Sequence, residues 1–225
     1  MQNNTVTAKL HSPYVSIASQ GSSSVGGSQM WSDHKIVRRC GCGPVAAYDL
    51  LLYLGRKHGS IFAFPASRQE YCRELEKLQR RYFPLIYPKG VNGILLTLGL
   101  NRMFHDRRLP YYAVWAVSGE KLFDRMADML QNDIPVILSV GPNFPLFWQK
   151  NKLMFYRLSS DGCYLPGADV KSHYVTALEM TDEWVKIASW GRCYYIRISE
   201  YKNYVNRNSN FVISNLVLIK EKGTD

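Results

Sequence analysis

The sequence lacks any run of about 18 apolar residues, and its N-terminus lacks the successive basic, apolar and small-residue regions of a secretory signal. It also lacks the motifs of the common nucleic-acid-binding domains and a basic helix of useful length. Lysine and arginine total 28 against 18 aspartates and glutamates, but the basic residues are spread along the chain in separate pairs. These features predict a soluble, cytoplasmic protein with a solvated basic surface, no membrane partner and no nucleic-acid partner.

Cysteine is scarce as well, and its five positions are Cys40, Cys42, Cys72, Cys163 and Cys193. An odd number of cysteines in a chain of 225 residues, which is large enough to bury a core without disulfides, indicates a reducing compartment. Cys40 and Cys42 have the spacing that begins some zinc sites, but no second closely spaced Cys/His pair follows. We therefore expect no metal and no cofactor.

The sequence predicts an N-terminal arm followed by one domain. Residues 1–30 include the Ser/Gly-rich stretch SIASQGSSSVGGSQ, which offers little to bury and predicts a flexible arm. The rest of the chain shows no internal repeat and no linker-like segment. Residues 31–225 are therefore expected to form a single domain, and the sequence gives no indication of its oligomeric state.

Apolar periodicity predicts helices in the first half of the chain and strands in the second. Helical spacing recurs over 47–54, 71–82, 91–98 and 122–129, and Pro44 can lie in the first turn of a helix that ends near Gly55. Short β-rich runs cover 111–117, 134–140, 153–158, 173–180, 183–189, 193–199 and 210–219. This order indicates an α+β fold with a helical N-terminal half and an antiparallel sheet in the C-terminal half.

Cys42 is the strongest candidate for a reactive side chain. A helix N-terminus lowers the pKa of a thiol because its unpaired N–H groups and its dipole favour negative charge. Cys42 lies two residues before Pro44, with Arg38 and Arg39 close in sequence, whereas Cys40 lies further out in the predicted loop. We therefore predict that Cys42 is the reactive thiol; the alternative is that both cysteines are ordinary small residues beside a helix start.

A cysteine nucleophile needs a histidine base, and the chain has five histidines: His11, His34, His58, His105 and His173. His11 lies in the predicted arm, and His58 and His105 lie beside basic residues at predicted helix ends. His173 instead opens an apolar strand after the predicted loop GADVKS. His173 is therefore the predicted base.

The next strand supplies a candidate to orient His173. If the hairpin turns around Thr181 and Asp182, His173 lies opposite Ser189 or Trp190. Ser189 can then accept a hydrogen bond from the ring, and Trp190 can shield the pair from water.

The stretch CGCGPVAAYDLLLYLG resembles the nucleophile helix of the bacterial C39-like cysteine peptidases, and SHYVTALEMTDEWVKIASWG resembles their histidine hairpin. NDIPVILSV and the serial order of these segments are also similar. The resemblance covers roughly residues 36–200 and implies a papain-like fold for the domain 31–225, with a central nucleophile helix. It implies hydrolysis of a peptide or isopeptide bond in a peptide or protein substrate, with Cys42 as the nucleophile and His173 as the base.

Two positions depart from the pattern of this family. Ser189, with Ala188 beside it, stands where the family has an orienting Asp or Asn, and Ile36 stands where it has an oxyanion-hole Gln. Loss of one oxyanion donor typically lowers the rate by about 100- to 1000-fold, while the Cys42 amide can supply another donor. Two alternatives therefore stay open: a catalytically impaired papain-like scaffold that acts as a binding module, and an acyl transferase of the phytochelatin-synthase kind.

Overall fold

The computed structural model describes residues 6–19, 22–59, 64–115, 119–142, 146, 151–209 and 215–223. Its helices are α1 (Lys35–Cys40), α2 (Cys42–Lys57), α3 (Arg68–Tyr82), α4 (Gly93–Asp106), α5 (Leu122–Gln131) and α6 (Ile198–Asn208). Its strands are β1 (Val6–Lys9), β2 (Ala18–Ser19), β3 (Ser22–Ser23), β4 (Tyr111–Val114), β5 (Val136–Val140), β6 (Leu153–Leu158), β7 (Tyr164–Val170), β8 (His173–Thr181), β9 (Trp184–Ser189), β10 (Arg192–Arg197) and β11 (Leu216–Glu221). Helices combined with antiparallel strand pairs make the fold α+β, as the sequence predicts. Among the described residues, no helix combines the length and the apolar character needed to cross a lipid bilayer.

The chain divides into two compact units. The first, here the sheet unit, consists of Met1–Ser12, Trp115–Ala188 and Cys193–Leu218. The second, here the helical unit, consists of Pro13–Val114, Ser189–Arg192 and Ile219–Asp225. The single domain expected over 31–225 stays a prediction.

Strand β8 occupies a central position in the sheet unit. β5 pairs with its first five residues, from Val140 opposite His173 to Val136 opposite Ala177, and β1 pairs with its last three. The other edge of β8 is followed by β9, β10, β6 and β7 in that order. Helix α5 packs against β1, β5 and β8, and the apolar residues of β5 are fully buried. The sequence of β5 is accordingly almost entirely apolar, as expected for a strand that is covered on both faces.

Helix α2 forms the core of the helical unit. Its residues from Gly43 to Gly55 are buried apart from Val45, and it packs against both α3 and α4. A helix that is apolar on nearly every side is typical of such a core position. The side chains of Ser67 and Asn92 cap the first turns of α3 and α4, which fixes where these two helices begin.

The stretch predicted as a flexible arm, residues 1–30, contains β1, β2 and β3 and both buried and exposed side chains; residues 1–5 and 20–21 lie outside the described ranges. β1 pairs with β8, and Val15 and Ile17 are fully buried. The Ser24 hydroxyl accepts a hydrogen bond from the Ile17 amide and donates one to the Gly26 carbonyl. The Ser24 hydroxyl thus satisfies two buried backbone groups, and the flexibility expected of residues 1–30 stays a prediction.

Three predictions need correction. Helix α4 forms where predicted, but Leu98 of the predicted stripe is 60% exposed, and the buried face carries Leu96, Leu100, Met103 and Phe104. The predicted loop GADVKS is mostly strand, because β7 extends to Val170 and pairs with β6. The strand predicted over 193–199 ends at Arg197, and α6 begins at Ile198. Parts of two predicted strands, residues 116–117 and 210–214, lie outside the described ranges.

Gly27 has no space for a side chain, because an added Cβ would lie 2.0 Å from the Tyr71 hydroxyl. We expect Gly27→Ala to displace Tyr71 and to lower the free energy of unfolding by about 3 kcal/mol, as overpacking does. Gly141→Ala is the matched control, because its Cβ would make ordinary contacts at 3.7 Å. Urea titration of both variants measures the difference, and equal midpoints would contradict the close packing of Gly27 on Tyr71.

Candidate functional site

Cys42 is the first residue of α2 and is half-buried, whereas Cys40 is the last residue of α1 and is only 4% exposed. The Cys40 Sγ donates a hydrogen bond to the Pro88 carbonyl at 3.5 Å. Cys42 lies in the first turn of a 16-residue helix, where the positive end of the helix dipole favours negative charge beside its sulfur. The structure thus places Cys42 at the helix start, as predicted, and it corrects the placement of Cys40, which lies in a helix and not in a loop.

The two arginines before Cys42 have other contacts. One guanidinium N–H of Arg38 donates to the Ser32 carbonyl at 2.8 Å, and the group lies 3.4 Å from the Asp33 carboxylate. The guanidinium carbon of Arg39 lies 5.1 Å from the centre of the Tyr87 ring. Both arginines lie in the last turn of α1, where positive charge compensates the carbonyl end of that short helix.

His173 is the only buried histidine of the five, at 8% exposure, and each of the others is exposed. It opens β8, where it pairs with Val140. Burial lowers the pKa of His173 to about 3. The ring is therefore neutral at pH 7, which suits a proton acceptor, but the same burial opposes the imidazolium that forms when it accepts a proton.

The hairpin of β8 and β9 has a different register from the predicted one. The prediction puts Thr176 opposite residue 186 or 187, whereas the structure pairs it with Ala188. The difference arises at the turn, because β8 ends at Thr181 and β9 begins at Trp184, each one residue later than expected. The register shift between Ala177 and Glu179 offsets part of this difference. The register that put His173 opposite Ser189 or Trp190 is therefore wrong.

Ser189 is the last residue of β9 and is 6% exposed, and the half-buried Trp190 follows it with a φ of +51°. Gly191 has a φ of +73°, so both residues of this two-residue turn adopt the left-handed conformation that a tight β-hairpin requires. Tryptophan is an unusual residue in this conformation. Cys42, Ser189 and Trp190 belong to the helical unit and His173 to the sheet unit, so the pairing of His173 with Cys42 and Ser189 stays a prediction.

Asp49 lies on α2 and is 3% exposed, and it is not among the site residues predicted from the sequence. Its carboxylate accepts hydrogen bonds from the Gly27 amide at 2.9 Å, the Tyr71 hydroxyl at 2.8 Å and the Tyr14 hydroxyl at 3.5 Å. Burial raises the pKa of Asp49 to about 7, while the three donors act in the opposite direction. A signal was present in the sequence, since an aspartate within the apolar run AAYDLLLYLG must be buried with partners.

Hydrogen bonds connect Asp49 to the turn that follows Ser189. The Gly27 amide binds the carboxylate, and two residues earlier the Val25 amide donates to the Gly191 carbonyl at 3.1 Å. A Cβ on Gly191 would lie 2.8 Å from Cζ2 of Trp31, so this turn packs directly on the Trp31 ring. Residues 24–27 thus connect the turn after Ser189 to α2 and fix its position.

Ile36 stands at the position where the C39-like peptidases have an oxyanion-hole Gln, and its aliphatic side chain has no hydrogen-bond donor. It lies on α1 and is 40% exposed. Gln29 is buried, and its Nε2 donates to the Arg38 carbonyl at 3.1 Å. Within the described ranges, no group of three or more His, Cys, Asp or Glu side chains could hold a metal ion.

Comparison with known proteins identifies no relative: no protein-family model matches the chain, and no curated protein or solved structure is significantly similar to it.

We expect iodoacetamide to modify Cys42 before Cys40 at neutral pH. Cys40 is buried and hydrogen-bonded, and burial raises the pKa of Cys72 to about 11 and raises that of Cys193 as well. The exposed Cys163 would react too, so the experiment uses the Cys163→Ser chain. Peptide mapping by mass spectrometry after brief treatment should find Cys42 modified at least about tenfold faster than Cys40, because the reagent reaches a half-buried thiol more readily than a buried one. Faster modification of Cys40 would eliminate Cys42 as the nucleophile.

Asp49 should make stability depend on pH. Its carboxyl has an ordinary pKa of 3.8 in the unfolded chain and about 7 in the fold, so between these values the folded state holds the extra proton. Stability therefore falls as pH rises through this window, by up to about 4 kcal/mol, and is level above it. Asp49→Asn mimics the protonated carboxyl and should remove this loss, whereas Asp182→Asn, at an exposed turn, should not. The test is the free energy of unfolding of each variant, measured from pH 4 to 8. If the values for Asp49→Asn and for the parent change with pH in parallel, Asp49 does not cause the loss.

Proposed function

We propose that this chain is a cytoplasmic, papain-like cysteine hydrolase of the C39-like kind, which cleaves a peptide or isopeptide bond. The observation that carries the proposal is the half-buried thiol of Cys42 on the first residue of a long core helix. Cys40, Cys72, Cys163 and Cys193 are thiols, which supports a reducing compartment.

In the proposed reaction, the Cys42 Sγ attacks the carbonyl carbon of the substrate while its proton passes to His173. The Cys42 amide donates to the oxyanion that forms, and His173 then gives the proton to the leaving amine, which leaves a thioester on Cys42. Water attacks this thioester, His173 accepts a proton from the water, and the released thiolate takes that proton back as the acid product departs.

His173 acts in this scheme from its neutral form. The low pKa that burial gives His173 disfavours a resting thiolate–imidazolium pair, and Ser189, being neutral, fixes the ring without compensating its charge. Slow turnover follows from this arrangement, and Trp190 shields the pair from water.

A binding scaffold without turnover is the second candidate. The neutral Ser189, the exposed Ile36 and the desolvated His173 all remove stabilisation that the reaction needs. In this second candidate, the surface around Cys42 holds a peptide without cleaving it.

Substitution of Ser189 tests the orienting role. Ser189→Asn or Ser189→Asp should raise the rate of acylation of Cys42 by p-nitrophenyl acetate, measured by intact mass and nitrophenol release, because either residue binds the ring more strongly. Ser189→Ala should lower it about fivefold, the value of one hydrogen bond of about 1 kcal/mol. In the Cys163→Ser chain, in which all these variants are made, Cys42→Ala and His173→Gln should abolish acylation.

The rates are compared from pH 5 to 9, with the melting temperature of each variant as the control for folding. If Cys42 in Ser189→Ala is acylated as fast as in the parent over this range, Ser189 has no role in the mechanism. Acylation that survives His173→Gln would favour the binding scaffold.

A further inference from the structure

An exposed apolar surface lies beside the start of α2. Ile36, Ile86 and Tyr87 are 40%, 53% and 57% exposed, and the guanidinium of Arg39 lies over the Tyr87 ring at 5.1 Å. Ile36 and Arg39 are three residues apart on α1 and therefore share one face of that helix. We refer to Ile36, Arg39, Ile86, Tyr87 and Lys89 as the Tyr87 platform.

The platform is tied to the chain immediately before Cys42. The Cys40 Sγ donates to the Pro88 carbonyl at 3.5 Å, and a Cβ on Gly90 would lie 3.1 Å from the Cys40 carbonyl oxygen. Two Cα–Cα steps separate Cys40 from Cys42, so the turn at 86–90 lies within about 12 Å of Cys42. An extended peptide covers this distance with about three or four residues.

The charged side chains of the platform itself, Arg39 and Lys89, are both positive, and the nearby exposed Asp33 lies 3.4 Å from the Arg38 guanidinium. Lys35, Arg39 and Lys89 are exposed, and none of the three makes an ion pair with another described residue. The segments 34–48 and 77–105, which contain α1, the start of α2 and the 86–90 turn, include no aspartate or glutamate. The exposed side chains therefore offer apolar area and positive charge together.

We propose that the Tyr87 platform binds an acidic peptide segment that carries apolar side chains, a few residues from the bond that Cys42 attacks. This proposal rests on the proposed function, because it names the class of substrate. The apolar side chains of the segment pack on Ile36, Ile86 and Tyr87, which a purely electrostatic partner would not need. Its carboxylates pair with Arg39, whose planar group is held in place over the Tyr87 ring, and with Lys89.

Peptide binding to the Cys42→Ala chain tests the platform without cleavage. The probes are two fluorescein-labelled octapeptides, one of alternating glutamate and leucine and one of alternating lysine and leucine, followed by fluorescence polarisation at low salt. The glutamate peptide should bind at least about tenfold more tightly. Arg39→Glu and Tyr87→Ala should each weaken that binding by about tenfold or more.

Matched controls come from the sheet unit. Arg157 lies over the Tyr194 ring at 5.7 Å, so Arg157→Glu reverses a charge in a similar pair, and Leu165→Ala removes an equally exposed apolar side chain. Both should change binding by less than about twofold. Equal binding of the two peptides, or equal losses in Arg39→Glu and Arg157→Glu, would overturn the proposal. Tighter Arg39-dependent binding to anionic vesicles or polyuridine than to the glutamate peptide would also overturn it.

The experiments distinguish a failure of the Tyr87 platform proposal from a failure of the hydrolase proposal. If p-nitrophenyl acetate acylates Cys42 but the glutamate peptide does not bind, the platform is wrong and the hydrolase stands. If the peptide binds through Arg39 and Tyr87 but Cys42 is never acylated, the platform stands and the protein is a binding module. If both stand, Tyr87→Ala should raise the KM for an acidic peptide substrate and leave kcat unchanged.

Discussion

The buried carboxylate of Asp49 is the interaction on which the helical unit depends. It joins α2 to α3 through Tyr71, and to the segment before α1 through Tyr14 and Gly27. An isolated buried carboxylate is costly, and here three hydrogen-bond donors offset only part of that cost, so the pKa of Asp49 stays raised to about 7. Through these donors, Tyr14 and Gly27 of the segment that includes the Ser/Gly-rich stretch are held against α2.

This arrangement also explains how an unusual backbone is held in place. Trp190 has a left-handed conformation that tryptophan rarely adopts, and such strain persists only where the surroundings fix it. The Val25 amide binds the Gly191 carbonyl, and the Trp31 ring occupies the space that a side chain at 191 would need. The position of Ser189 therefore depends on a loop that is held by Asp49.

Periodicity in the sequence predicted α2, α3 and α5, because each buries one continuous apolar set. Periodicity failed where tertiary contacts determine which face of an element is buried or how two strands pair. Leu98 fits a helical stripe but faces solvent, since Gly99 packs so closely on Tyr82 and Phe83 that it fixes another face of α4 inward. The shift at Leu178 and the fold of the Ser/Gly-rich segment leave no periodic signal, so neither the hairpin register nor the environment of Ser189 could be predicted.

Cys42 was predictable because a cysteine before Gly-Pro at a helix start needs only local sequence to interpret, whereas the role of Asp49 depends on residues far apart in the chain. The two are connected through α2. Seven residues correspond to almost two full turns, so they lie on one side of the helix, about 10 Å apart along its axis. At an effective dielectric constant of about 20, a charge on Asp49 would oppose a Cys42 thiolate by about 1.6 kcal/mol, comparable to what the helix N-terminus contributes in its favour. Burial keeps Asp49 protonated below a pH of about 7, and in that range the helix start retains its full advantage for a thiolate.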